Sequence, residues 1–300
     1  MPVAAQQTYR LFEVVLRERI ALSPALVRMV FTGADVPAMK TEGPDQRIKV
    51  FFPLPGEDAP CVPVGEDWYA RYRALDEARR PPMRTYTLRA LRPQQAEVDV
   101  DFVLHGLTGP ASRWACRARP GDRVALLAPD ARSTESSQGW EWKPPADVGE
   151  VLLVADETAL PAVAAILEAL AEQARVPLTR VLIEVADAQD ILPLAVPAGV
   201  AVQWLPRQGQ GHGDRLLQAV KAWAATRPVL AAGDPVDEID VDAQILWELA
   251  DSSVAGPLYA WIAGEAGAVM GIRRYLLRDC GLDRRSMSCM GYWRKGRVLD

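Results

Sequence analysis

The hydrophobic pattern of this chain changes once, close to residue 150, and that change predicts two domains. Up to about residue 128 the apolar residues come in short bursts between prolines and glycines, which is typical of β-strands joined by turns. The segment Glu97–Leu104 alternates polar and apolar residues, as a strand with one solvated face does. Residues 1–130 are therefore predicted to form a small antiparallel β-barrel. The other bursts are Phe12–Val15, Leu26–Phe31, Ile48–Phe52 and Tyr86–Leu88.

The second half of the chain alternates strand-like and helix-like segments. The polar, proline-containing stretch Asp130–Gly149 reads as a linker or a long hairpin. After it, Val151–Ala155 is a continuous apolar run and Pro161–Ala174 has helical periodicity. Residues 150–300 are therefore predicted to form a doubly wound α/β domain with a parallel sheet. Further buried strands are expected at Val181–Val185, Val200–Val202 and Leu258–Ile262.

Length and composition exclude several classes of protein. The chain has 300 residues, of which 49% are hydrophobic and 24% charged, with a formal net charge of −5. These values argue against disorder and against a uniformly basic nucleic-acid binder. No apolar run is long enough for a membrane helix, and the start of the chain has no signal-peptide pattern, so we expect a cytoplasmic protein. Neither a metal site nor a disulfide framework is indicated, because the cysteines are scattered, at Cys61, Cys116, Cys280 and Cys289.

Two segments of the first domain carry side chains suited to a flavin. Arg84-Thr85-Tyr86-Thr87 opens a predicted strand, and such a guanidinium binds phosphate while the phenol ring packs on an isoalloxazine. Gly109-Pro110-Ala111-Ser112 would start a helix whose small residues let a pyrophosphate reach the free backbone N–H groups. His105, just before that helix, fits either a flavin contact or a core histidine bonded to a carbonyl.

In the second domain, Asp156–Pro161 follows the first parallel strand, where open α/β sheets bind dinucleotides. The glycine fingerprint of dinucleotide-binding turns is absent there. Thr158 is predicted to cap the next helix, with Asp156 and Ala159 beside it. Gly264, after a buried strand and before Glu265, is a glycine for close backbone approach at the same edge of the sheet.

The last forty residues are locally basic, whereas the segment before them is acidic. Arginines including Arg273, then Trp293 and Lys295, would suit an anionic, partly aromatic ligand, although a solvated helix face explains any single arginine. Residues 228–251 carry seven carboxylates and no basic side chain, which is typical of a solvated face. A helix is predicted within that segment at Gln244–Leu249.

Five motifs, taken in order, resemble those of the siderophore-interacting proteins, which are FAD-dependent ferric-siderophore reductases of the ferredoxin-reductase-like superfamily. They are Arg84–Thr87, Gly109–Ala115, Asp156–Pro161, Trp261–Glu265 and Gly291–Gly296. The resemblance implies an FAD-binding β-barrel at residues 1–130 and an NAD(P)H-binding α/β domain at 150–300. It implies that NADPH, NADH or a ferredoxin-type carrier reduces the FAD, which then reduces Fe(III) in a siderophore.

The resemblance also implies roles for particular residues. Arg84, Thr85, Tyr86 and Thr87 would surround the flavin and its phosphates, and residues 109–112 would hold the pyrophosphate. Residues 156–161 and 263–265 would lie at the nicotinamide, with Trp293 near the flavin. Lys49 and Lys295, with Arg273, are the candidate siderophore ligands. The turn Ala128–Arg132 lacks the usual glycine, so the adenine end of FAD would be held differently.

Three questions stay open at this point. A general NAD(P)H–flavin oxidoreductase, or a siderophore-binding module without flavin, would share many of these features. Asp187 would favour NADH by bonding a ribose hydroxyl, whereas Arg207 would favour NADPH by pairing with a 2′-phosphate. The siderophore chemistry and the oligomeric state are not encoded in any motif.

Overall fold

A computed structural model describes residues 7–107, 109–227, 240–242, 244–251, 253 and 256–297. The chain divides into two compact units, and the boundary lies between Trp140 and Glu141, inside the expected linker. All four cysteines are free thiols. Within the described part of the chain, no helix combines the length and the apolarity needed to cross a bilayer.

The first unit is a curled, half-closed barrel, which confirms the predicted architecture. Its seven strands form one antiparallel sheet in the order β4-β3-β7-β1-β2-β6-β5, with β4 and β5 at the two edges. The concave side encloses a core of apolar side chains that includes Phe12, Phe31 and Phe102. The elements are β1 (Tyr9–Ala21), β2 (Leu26–Thr32), β3 (Arg47–Phe51), α1 (Trp68–Arg73), β4 (Met83–Thr87), β5 (Ala90–Arg92), β6 (Glu97–Val103), α2 (Pro110–Arg117) and β7 (Arg123–Pro129).

Strand β6 differs from the expected strand with one solvated face. Its carboxylates Glu97, Asp99 and Asp101 are all buried. Arg92 donates two hydrogen bonds to Asp99, at 2.8 and 2.5 Å, and Arg28 donates two to Asp101, at 2.7 and 2.9 Å. The expectation of a wet face was wrong because arginines on the neighbouring strands cover the carboxylates and replace water as hydrogen-bond partners.

The second unit contains a six-stranded sheet in the order β10-β9-β8-β12-β13-β11. The first five strands are parallel, as predicted, whereas the edge strand β11 runs antiparallel to β13. The sheet is therefore mixed. The elements are β8 (Glu150–Ala155), α3 (Leu160–Ala171), β9 (Leu178–Val185), β10 (Val200–Pro206), α4 (Asp214–Ala224), β11 (Trp247–Glu248), β12 (Leu258–Glu265), α5 (Ala266–Arg278) and β13 (Met287–Trp293).

Strand β11 occupies the place where a helix was predicted, at Gln244–Leu249. Trp247 stacks on Tyr292 with 6.0 Å between ring centroids and 8° between planes, and Glu248 accepts hydrogen bonds from two arginines of this unit. These tertiary contacts override the local periodicity, so the helix prediction was wrong. The rest of the acidic segment, residues 228–239 and 243, lies outside the described residues.

Helices cover both faces of the sheet. Helices α4 and α5 share one apolar cluster with Leu152, Val154 and Ile262. Helix α3 contacts β8 but contributes nothing to that cluster, so it covers the opposite face. The chain therefore leaves β8 and β12 in opposite directions, and a topological switch point lies between the carboxyl ends of these two strands. Open α/β sheets bind ligands at such a point.

Candidate functional site

The edge strand β4 presents Arg84 and Tyr86 on one face of the barrel sheet. Tyr86 packs on Phe102, with 4.3 Å between ring centroids, and burial raises the pKa of its hydroxyl. That hydroxyl has no hydrogen-bond partner among the described residues, and Arg84 bonds only its neighbouring carbonyl, Met83 O, at 2.7 Å. The Tyr86 hydroxyl and the remaining N–H groups of Arg84 are therefore available to a ligand at the edge of the sheet.

Lys49 and Thr85 lie on the other face of the same pair of strands. Lys49 is opposite Thr85 in the β3–β4 register, and its Nζ donates to Thr85 Oγ1 at 2.7 Å. Because side chains alternate along a strand, Lys49, Thr85 and the buried Thr87 point away from the side of Arg84. The motif at residues 84–87 thus divides its side chains between two faces.

Helix α2 begins without a side-chain cap. Its N-cap is Gly109 and its first residue is Pro110, so only small residues stand before the free N–H groups of Ala111 and Ser112. The Ser112 hydroxyl points inward instead. It donates to Gly106 O at 2.7 Å and accepts from the N–H of His105 at 3.2 Å. Any ligand at this end of α2 therefore meets backbone N–H groups and not the serine hydroxyl.

His105 is exposed, so the alternative of a core histidine was wrong. A Cβ built on Gly109 would lie 3.6 Å from its Cε1, which places the imidazole beside the start of α2. The first unit thus offers a guanidinium, an aromatic ring with a free hydroxyl, and an uncapped helix start. These groups fit a flavin that carries a diphosphate arm.

In the second unit, the carboxylate of Asp156 fills the switch point. Its Oδ2 accepts from the Glu265 N–H and from Trp293 Nε1, both at 2.8 Å, and its Oδ1 accepts from Thr158 N at 2.9 Å. The side chain is 2% exposed. Burial, reinforced by the charge of Glu157, raises the pKa of Asp156 to about 6. The carboxylate thus links the β8–α3 turn, the β12–α5 turn and the end of β13.

The expectation that Thr158 caps the helix after this turn was wrong. The N-cap of α3 is the buried Ala159, without a side-chain bond, and Thr158 Oγ1 donates to Asp156 Oδ1 instead of capping the helix. The helix begins at Leu160, so neither Asp156 nor Glu157 lies in its first turn. A ligand approaching α3 would therefore meet the backbone N–H groups of its first turn, because the side chains of Asp156 and Thr158 already bond each other.

Gly264 is required by this arrangement. Its φ is +151°, and a Cβ added there would lie 2.7 Å from the Cγ and Oδ2 atoms of Asp156. The glycine predicted for close backbone approach therefore makes room for a side chain of the same unit.

Glu265 caps α5 and accepts hydrogen bonds from the basic C-terminal segment. Its Oε2 accepts from the Ala268 N–H at 2.8 Å, and its Oε1 accepts from Arg294 Nη1 at 2.8 Å. Burial opposes ionisation, but the bonds from Arg294, Ala268 and the Lys295 N–H outweigh it and lower the pKa of Glu265. Glu265 is thus an ionised carboxylate whose oxygens are used inside the protein.

A pocket of about 370 Å³ opens between the N-termini of α4 and α5. Lys295 lines it; its side chain is exposed and its Nζ has no partner among the described residues. His212 lies on the same rim with its ring edge-on to Trp293, at 4.9 Å between centroids. Lys295 therefore has the free charge expected of a ligand for an anion.

Arg273, in contrast to Lys295, has no exposed charge with which to bind an anion. It is 1% exposed, and its Nε and Nη2 bond the two oxygens of Glu248 at 2.5 and 2.9 Å. A buried guanidinium with a bidentate partner cannot reach a substrate from solvent. The prediction that Arg273 binds substrate is therefore corrected to a structural role between α5 and β11.

Sequence reasoning missed a buried charge cluster at the carboxyl ends of β8, β9 and β10. Arg207 bonds both oxygens of Glu157 at 2.6 Å and Glu184 Oε1 at 3.3 Å. All three side chains are buried. The available signal was Glu184 itself, a carboxylate inside the apolar run Val181–Val185, because such a charge needs a partner.

The chain matches two profiles of one family. Residues 15–133 match the siderophore-interacting FAD-binding domain, and residues 148–296 match the siderophore-interacting protein. Together the two matches contain every motif on which the sequence resemblance was based.

Known proteins agree with these matches. The ferric vibriobactin reductase ViuB of Vibrio cholerae is 27% identical over 288 residues, covering 96% of this chain and 90% of that protein. The NADPH-dependent ferric-chelate reductase of Escherichia coli is 33% identical over 214 residues, covering 70% of this chain and 76% of that protein. The crystal structure of a siderophore utilization protein from T. fusca has a TM-score of 0.71 at 29% identity, covering 98% of this chain and 97% of that chain.

Proposed function

Because the chain belongs to the siderophore-interacting protein family, we propose that it is an FAD-dependent reductase of ferric siderophores with a nicotinamide dinucleotide as electron donor. The observation that carries the proposal is the pair of family matches, which run in order over residues 15–133 and 148–296. Relatives named as ferric vibriobactin reductase and ferric-chelate reductase support the choice of substrate class.

In the first unit, we assign the flavin to the edge of β4 and the start of α2. FAD supplies the step from a two-electron donor to one-electron transfers. Arg84 would pair with its phosphates, Tyr86 would pack on the ring system, and the N–H groups of Ala111 and Ser112 would face the diphosphate. The free Tyr86 hydroxyl and the uncapped start of α2 support these roles.

In the second unit, we assign the dinucleotide to the switch point between β8 and β12. The first turn of α3 would present backbone N–H groups to it, because the N–H groups of Thr158 and Glu265 in the neighbouring turns already bond Asp156. Asp156 would hold the Trp293 indole in a fixed orientation at the same edge. One dinucleotide oxidised reduces two Fe(III) to two Fe(II) and releases one proton.

The proposed substrate sites are cationic. Lys295 would attract a ferric siderophore with a negative charge, and Lys49 would do so from the face of the barrel sheet opposite Arg84 and Tyr86. Hard oxygen ligands hold Fe(III) much more strongly than the less charged Fe(II), so reduction releases the iron. The four free thiols support a reducing compartment, and we place the reaction in the cytoplasm. A ferredoxin-type donor in place of the dinucleotide is an outcome that the experiment below distinguishes.

The experiment is a visible absorption spectrum of the purified full chain, followed by anaerobic additions. Flavin bands that bleach with NADH or NADPH and return on addition of ferric siderophore, with Fe(II) trapped by ferrozine, are the expected result. Bands that bleach only with a reduced ferredoxin would exclude the dinucleotide as donor. A return of the bands with free flavin but not with ferric siderophore would indicate a general flavin reductase. A colourless chain that takes up no FAD would leave only a binding module.

Lys295→Ala is expected to raise the KM for an anionic ferric siderophore about three- to fivefold, since an exposed charge contributes up to about 1 kcal/mol. The rate of flavin reduction by the dinucleotide should not change. Lys221→Ala, on the exposed side of α4, removes the same charge elsewhere and serves as the control. Lys49→Ala tests the second candidate. Equal effects on siderophore KM and on flavin reduction would rule out a substrate role for the lysine concerned.

A further inference from the structure

The carboxyl ends of β8, β9 and β10 form an acidic half of the sheet edge. Their carboxylates are Glu157 after β8, Glu184 within β9, and Asp187 and Asp190 after β9. In open α/β sheets that bind dinucleotides, the residue after the second strand bonds the ribose hydroxyl of NAD, whereas an arginine nearby accepts the 2′-phosphate of NADP. The charge of this half of the edge therefore bears on which dinucleotide the unit binds.

The arginine that would suit a 2′-phosphate is already bonded. Arg207 gives both Nη atoms to Glu157 at 2.6 Å, and its Nη1 also lies 3.3 Å from Glu184 Oε1. It is 7% exposed. Glu184 Oε2 has no hydrogen-bond partner among the described residues. The cluster contains two carboxylates and one guanidinium, so its net charge is negative when both carboxylates are ionised.

Asp187 adds a negative charge on the surface. It is exposed, and it forms a reciprocal capping pair with Asp190, in which each side chain accepts from the other's backbone N–H. Another cation near these strand ends is Arg215 on α4, whose Nη2 lies 3.5 Å from Gln208 Oε1. It stands beside Asp214, so this pair adds no net charge.

We infer that the chain prefers NADH to NADPH, with Glu157, Glu184 and Asp187 determining the specificity. The inference rests on the proposed function and decides between the two dinucleotides. Two hydroxyls of a ribose can donate to a carboxylate, whereas a 2′-phosphate carries up to two negative charges and only accepts. Arg207 could pair with it only by leaving Glu157 and Glu184 buried and unpaired.

The test measures binding without turnover, by isothermal titration of the flavin-loaded full chain with NAD⁺ and with NADP⁺. NAD⁺ is expected to bind at least about tenfold more tightly than NADP⁺. A roughly tenfold difference is the size expected from the repulsion between the 2′-phosphate and one carboxylate near the surface. Equal or tighter binding of NADP⁺ overturns the inference while the proposed function stands. If neither dinucleotide binds, both the inference and the dinucleotide donor fail, and the flavin spectrum still reports separately on the rest of the proposed function.

Single substitutions locate the effect. Asp187→Ser and Glu157→Gln each remove one negative charge and are expected to tighten NADP⁺ binding about three- to tenfold. Glu157→Gln should change NAD⁺ binding less, whereas Asp187→Ser should weaken it, because it removes the carboxylate that accepts from the ribose hydroxyls. Glu172→Gln makes the same charge change at the other end of α3 and is the matched control. Equal tightening by all three variants would mean a general charge effect and would overturn the assignment to these residues. Selective loss of NADP⁺ binding in Arg215→Ala would overturn the inference, because it would show a phosphate site on α4.

Discussion

Arg207→Ala is expected to destabilise the chain by about 3–5 kcal/mol, which is the range for breaking a buried ion pair by removal of one partner. The substitution leaves Glu157 and Glu184 buried, and it removes the bidentate bonds at 2.6 Å. Burial already raises the pKa of Glu184 in the presence of the arginine, whose charge opposes that rise. Without Arg207, both carboxylates face desolvation with no cation beside them.

The pH dependence separates this explanation from a simple loss of packing. Carboxyl groups whose pKa is raised in the folded state bind protons that the unfolded chain does not hold, so stability increases as the pH falls. Arg207→Ala should therefore recover part of its lost stability on acidification towards about pH 5, relative to the wild type. Urea unfolding of the full chain, followed by tryptophan fluorescence at several pH values, measures both effects.

Arg180→Ala serves as the control, because Arg180 lies on the same sheet and its Nη2 bonds only an amide oxygen, Gln203 Oε1. Arg180→Ala should lower the free energy of unfolding by about 1 kcal/mol, which is the range for loss of a hydrogen bond to a neutral group. Two results would contradict the assignment of a buried charge cluster around Arg207. One is that Arg207→Ala destabilises the chain no more than Arg180→Ala does. The other is that the destabilisation by Arg207→Ala does not become smaller on acidification.

The sequence predicted the elements of this fold wherever local pattern and burial agree. Short apolar bursts became the strands of the first unit, and the continuous runs at Val151–Ala155 and Val181–Val185 became central parallel strands. The pattern failed where tertiary partners decide. Strand β6 looked half-solvated because Asp99 and Asp101 are charged, and only the fold brings Arg92 and Arg28 over them.

The same distinction holds at the site. Motif order located the turns around Asp156, Gly264 and Trp293, which the fold brings together through one carboxylate. It could not predict which way a side chain points. Thr158 was expected to cap a helix and Arg273 to meet substrate, yet each bonds a carboxylate of its own unit. Neither bond follows from the local pattern, because one forms inside a turn and the other reaches an unexpected strand.

Asp156→Asn is expected to remove the contribution of Asp156 to the pH dependence of the free energy of unfolding. The folded-state pKa of Asp156, about 6, lies above its ordinary value of 3.8, so the folded chain holds a proton that the unfolded chain has lost between these values. That contribution favours the folded state at low pH and is lost as the pH rises through about 6. It amounts to about 2 kcal/mol between pH 4.5 and 7.5.

The difference in unfolding free energy between wild type and Asp156→Asn reports on this carboxyl group together with its charge interaction with Glu157, because both chains share all the other titrating residues. We expect the difference to shift by about 2 kcal/mol in favour of the variant from pH 4.5 to 7.5. Thr158→Val is the matched control: it removes a hydrogen bond to the same carboxylate but keeps the carboxyl group, so it should keep or steepen the pH dependence.

The same variant tests whether Asp156 holds the Trp293 indole. The amide that replaces the carboxylate cannot accept at both former oxygen positions, so either Trp293 Nε1 or the Thr158 N–H loses its partner. A red-shifted tryptophan emission would report release of the indole into a more polar environment. An unchanged emission together with an unchanged pH slope would show that Asp156 does not hold the switch point together.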